Sequence, residues 1–75
     1  MNKARRSKLD KAYRYLSTAE EIVTEVLEQE QDAFDNLPEN LQDSQMACSM
    51  EDAISALEDV SDAISEAIQN ITEII

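Results

Sequence analysis

Apolar residues recur at spacings of three and four along two stretches of the chain, and the pattern breaks once, around the only proline, Pro38. That period is the signature of two amphipathic helices joined by a short connection. In the first stretch Leu9, Ala12, Leu16, Ala19, Val23, Val26, Ala33 and Leu37 occupy alternating a and d positions of a heptad. Tyr13, Leu27 and Phe34 flank them at e, and Tyr15 and Ile22 at g. In the second stretch the heptad is read directly from MEDAISA, LEDVSDA, ISEAIQN and ITEII. Met50, Leu57, Ile64 and Ile71 form the a line, and Ala53, Val60, Ala67 and Ile74 the d line. Ile54, Ile68 and Ile75 add an e line broken by Ser61, with Ala56 and Ala63 at g. The pattern predicts an a/d seam flanked by further apolar positions, a face broader than a two-stranded coiled coil needs.

The breaks place the ends. Ser7 followed three residues later by Asp10 reads as a capping box, which predicts a first helix over about 7–35 and leaves residues 1–6 as a basic arm. Pro38 cannot continue that helix and pushes Leu37 out of the α region, so the joint falls at about 36–44. Pro38-Glu39-Asn40 suits one short helical turn with Leu41 tucked beneath it. Ser44 is the better cap for a second helix over about 45–75, with Ser49 and Asp52 as a later alternative start. A short joint implies antiparallel neighbours. The expected fold is an all-α antiparallel helical hairpin over residues 1–75, one domain, assembling into a four-helix bundle or a larger helical oligomer.

Composition supports assembly. With 75 residues the chain is short for a monomeric core, its single cysteine, Cys48, allows no internal disulfide, and it has no histidine. Glycine is absent, which favours helix over tight-turned sheet. The residues expected in the oligomer core are Leu9, Leu16, Val23, Val26, Met50, Leu57, Val60, Ile64, Ile68 and Ile71. The partner implied is the chain itself, as a homodimer or homotetramer. No apolar run is long enough for a membrane span, and the N-terminus lacks an apolar signal region. A lone thiol without an export signal fits the cytoplasm.

The net charge of −11 is unevenly placed. All six Lys and Arg fall in residues 1–14 against one acid, Asp10, so that segment carries +5 and the remainder −16. The repulsion between that remainder and phosphates argues against direct duplex DNA binding.

Catalysis finds little support. Cys48 has no histidine base, and its bland reading is a small residue near a helix start. The pairs Glu20/Glu21, Glu51/Asp52 and Glu58/Asp59 sit on adjacent residues, which diverge by about 100° on a helix instead of converging on one proton or metal. No enzyme, cofactor or metal is expected. Glu30 occupies an a position, where a carboxylate either sets register against a base or marks a splayed end.

The candidate ligand surface is the basic tip: Arg5, Arg6, Lys8, Lys11, Tyr13, Arg14 and Tyr15. Cations interleaved with tyrosines suit phosphates and stacked bases. The competing structural reading is that the tip caps the end of the second helix, beside Glu66, Glu73 and the terminal carboxylate. The acidic face also has two readings, a solubilising surface or a mimic of duplex phosphates that blocks a nucleic-acid-binding protein.

The segment Ala33-Phe34-Asp35-Asn36-Leu37-Pro38-Glu39-Asn40-Leu41-Gln42-Asp43-Ser44, followed by Met50-Glu51-Asp52-Ala53-Ile54, resembles a family of small acidic helical-hairpin proteins of bacteria and their phages or prophages. Its marks are a Leu-Pro-Glu-x-Leu-Gln joint and a Met-Glu-x-Ala-Ile heptad helix. Gln45-Met46-Ala47-Cys48 departs from the charged, glycine-containing segment usual there. The resemblance carries no activity. By analogy with small oligomeric phage proteins, it implies a binding protein that counters host defence, by sequestering a nucleotide immune signal or by blocking a host effector protein. A purely structural or assembly role is the remaining alternative.

Overall fold

The computed structural model describes residues Met1–Ile75 and contains two long helices and a joint. Helix α1 spans Lys3–Asp35, a 3-10 turn spans Glu39–Leu41, and helix α2 spans Gln45–Ile74. The two helices lie side by side as a hairpin with principal extents of 59 × 14 × 13 Å.

Helix α1 starts earlier than the Ser7–Asp10 capping box predicts. Asn2 is the N-cap, and its side-chain Oδ1 accepts the Arg5 backbone N–H at 2.9 Å. The expected basic arm is therefore helical from Lys3 onward, because an Asx cap satisfies a free first-turn N–H at little cost. At the other end, Asn36 donates its side-chain amide to the Asp32 carbonyl at 2.8 Å and its backbone N–H to the same oxygen at 3.1 Å. Pro38 then turns the chain, and the Leu41 N–H returns to the Pro38 carbonyl at 2.9 Å, closing the expected short turn. Ser44 caps α2 as predicted: its Oγ accepts the Ala47 N–H at 3.2 Å and donates to the Leu41 carbonyl, which ties cap to joint. The later start at Ser49 is not used.

The seam between the helices differs from the expected a/d pairing. On α1 the half-buried residues centre on Leu9, Tyr13, Leu16, Glu20, Val23, Leu27, Glu30 and Phe34, the a and e lines, with Ala12 and Ala19 of the d line and Ser17 and Gln31 of the b line half-buried at the edges. On α2 they centre on Ala47, Met50, Ile54, Leu57, Ser61, Ile64, Ile68 and Ile71, again a and e, with Ala53 and Ala67 of the d line half-buried at the edge. Size explains the choice. The α1 d line holds Ala12, Ala19 and Ala33, whereas its e line offers Tyr13, Leu27 and Phe34. On α2, Ile54 and Ile68 at e outweigh Ala53 and Ala67 at d. Each exchange of a buried alanine for a large apolar side chain is worth about 1–2 kcal/mol. Of the residues expected in the oligomer core, Leu9, Leu16, Val23, Met50, Leu57, Ile64, Ile68 and Ile71 lie half-buried in this seam, while Val26 and Val60 stay exposed.

Two helices make only one contact surface, so burial is shallow. Ala47 (1% exposed) and Ile54 (8%) are the only buried residues, and both lie near the joint. Glu20, an acid on the seam, accepts a hydrogen bond from the Ser65 hydroxyl of α2 at 2.6 Å. Glu30 lies half-buried with no ion pair, so it holds no base across the seam.

Candidate ligand site at the basic tip

The Glu20–Ser65 bond marks the register of the hairpin. Ten residues farther along, Ile75 comes level with about Asp10. The first two turns of α1 therefore project past the end of α2, and every residue from Met1 to Lys8 is exposed. This overhang carries Lys3, Arg5, Arg6 and Lys8. It also presents the positive end of the α1 dipole, with no acid in its first turn.

The expectation that the tip pairs with Glu66, Glu73 and the chain terminus is not met. The single ion pair in the molecule joins Arg14 to Asp10 at 2.8 Å, within α1. Lys3, Arg5, Arg6, Lys8 and Lys11 have no acidic partner within 4 Å. The overhang is the reason, since most of these side chains lie beyond the last turn of α2.

The candidate residues divide between faces. Tyr13 turns into the seam and is half-buried, while Tyr15 points outward at 67% exposure. Lys11 Nζ stands 5.8 Å from the centre of the Tyr15 ring. Lys11, Arg14, Tyr15 and Thr18 line a shallow recess of about 380 Å³. A second recess of about 300 Å³ lies among Met1, Arg5, Lys8 and Leu9. Arg6 lies on the same line of the helix as Tyr13, so it joins neither recess.

The first recess offers two cations and an open aromatic face within one turn. An anionic group would sit against Lys11 and Arg14 while a planar group covers Tyr15. Arg14 is held by Asp10, but both side chains are more than half exposed, so that pair is worth about 0–1 kcal/mol and yields easily to a phosphate. Thr18, whose hydroxyl donates to the Arg14 carbonyl at 3.1 Å, was not among the candidates. Its spacing from Lys11 and Tyr15, seven and three residues, was the signal that would have found it.

No family model, no curated protein and no solved structure matches this chain. No cluster of three or more His, Cys, Asp or Glu side chains is arranged to hold a metal ion. No helix is long and apolar enough to cross a membrane.

Proposed function

We propose that this is a non-enzymatic binding protein that works as a self-associated helical bundle and captures a small anionic ligand, a nucleotide, at its basic tip. The observation that carries this reading is the set of five unpaired cations at the tip, four on the exposed helical overhang and Lys11 beside an open tyrosine ring. Bases with a structural job are normally found opposite acids, and this chain has sixteen acids outside the tip to supply them. Leaving the bases free keeps a positive field where an anion arrives. The resemblance to phage and prophage hairpin proteins gives the reading a context, sequestration of a nucleotide signal used in host defence.

Isothermal titration against cyclic and linear nucleotides tests it. Saturable heat is expected with at least one of them, with the affinity weakened several-fold or more by Lys11→Ala and by Tyr15→Ala. Absence of heat across the panel would remove the tip as a nucleotide site.

A second reading has its own support. Glu51, Asp52, Glu58, Asp59, Asp62, Glu66 and Glu73 are all exposed along α2. They span about 33 Å of helix at 1.5 Å per residue, a length over which carboxylates can imitate duplex phosphates. An acidic inhibitor of a nucleic-acid-binding protein would form a salt-sensitive complex with that protein and would ignore nucleotides.

A further inference from the structure

Because the seam is centred on the a and e lines, with Ala12, Ala19, Ala53 and Ala67 half-buried at its edge, the g lines and the rest of the d lines of both helices are left open. On α1 the d and g lines read Ala12, Tyr15, Ala19, Ile22, Val26, Gln29 and Ala33. On α2 they read Met46, Ser49, Ala53, Ala56, Val60, Ala63, Ala67, Asn70 and Ile74. In an antiparallel pair, equivalent flanking positions of the two helices fall on the same side. The leftover lines therefore merge into one face of the rod. Its large members are open: Ile22 (55% exposed), Val26, Met46 (56%), Val60 and Ile74, with Tyr15 at its outer edge, where the recess with Lys11, Arg14 and Thr18 continues onto the side away from α2. The opposite flank carries Asp10, Ser17, Thr24 and Gln31 beside Glu51, Glu58, Ser65 and Thr72 and has no large apolar residue. The rod is apolar on one side only.

We propose that this d/g face is covered by a second copy of the same chain lying antiparallel, so that the basic tip of each copy rests over the acidic joint of the other. This rests on the self-association stated above and specifies its surface and orientation. Charge selects both occupant and direction. Eight acids and no base lie between residues 28 and 52, around the joint, and all the bases lie at the far end. Arg5 and Lys8 continue the d and g lines onto the overhang, so they point along the same face. A parallel copy would bring tip against tip and joint against joint. An antiparallel copy brings Arg5 and Lys8 toward the partner's joint, where Glu39 and Asp43 are exposed. The area suffices. From Met46 to Ile74 the face is about 42 Å long, and with a width near that of the rod it buries on the order of 600 Å² per copy, the low end of stable interfaces. The contact is isologous, with its two-fold axis crossing the rod near Ile22, Val26, Val60 and Ala63.

Thiol linking reads the arrangement, with Cys48→Ser as background. Chains carrying Val60→Cys should link to their own kind, because Val60 lies at the axis. Chains carrying Ile74→Cys should link to chains carrying Met46→Cys, and neither should link to itself. Sedimentation should give a mass of two copies or a multiple of two. Self-linking of Ile74→Cys would show a parallel pair and overturn the orientation. A two-copy mass without any Val60→Cys link would overturn the face while leaving self-association standing. A single-copy mass at micromolar concentration would overturn both.

Discussion

The two ends of this rod are built oppositely. At the joint, Ser44 ties the start of α2 to Leu41, Asn36 closes the end of α1, and the only two buried residues, Ala47 and Ile54, lie in the first turns of α2. The charges there are all negative and spread over exposed positions. At the tip nothing is buried, α1 runs on without a neighbour, and the charges are positive and unpaired. Order is concentrated where the chain reverses, and unpaired positive charge where the chain runs free. A helix without a neighbour gains nothing from packing, so its first two turns are held by the Asn2 cap and by the helix they extend.

The largest test of this contrast is Ile54→Ala. It removes the one large buried side chain and should cost about 3 kcal/mol, read by urea unfolding at fixed protein concentration. Ile68→Ala, half-buried toward the tip, should cost clearly less. Equal losses would erase the difference between the ends.

Tyr15→Ala should change the unfolding free energy by no more than about 0.5 kcal/mol, since the ring is exposed, yet weaken nucleotide binding by about 1–3 kcal/mol, roughly 5- to 150-fold. Titration calorimetry alongside urea unfolding separates the two effects. A Tyr15→Ala protein that loses stability and binding together would mean that the ring belongs to a packed interface and not to a ligand site.

Ser44→Ala removes the cap that links joint to helix and should cost about 1 kcal/mol. Asn2→Ala, on the overhang, should cost less than half of that. Amide exchange gives the same contrast residue by residue: the amides of residues 3–10 should exchange many times faster than those of residues 50–58.

Asp10→Asn should have the smallest effect on stability, at most a few tenths of a kcal/mol, because the Arg14 pair is exposed. It frees Arg14, so nucleotide affinity should rise. A fall in affinity would show that Asp10 positions the guanidinium instead of competing for it.

Much of the fold is legible in the residues. Period, proline and the Ser44 cap depend only on neighbours along the chain, and each is where local chemistry puts it. The start of α1 is the exception, because Asn2 and Ser7 are both competent caps and Asp10 turned out to serve Arg14. The candidate site was half legible. The interleaving of bases and tyrosines marked the tip, but the separation of Tyr13 from Tyr15 depends on which side faces α2.

Heptad spacing by itself determined that there are two helices and that each has a broad apolar arc, and the order of charged residues determined that bases and acids are segregated along the chain. Only the tertiary structure decided which part of each arc is spent on the hairpin. Leu27, Phe34, Ile54 and Ile68 centre the seam on the a and e lines and leave the alanines at d on its edge or outside it, because larger side chains release more water when they meet. It also decided the register, and with it the overhang that leaves the bases without partners. Both are properties of two helices placed together, where side-chain volume and relative length compete, and no single stretch of sequence contains that comparison.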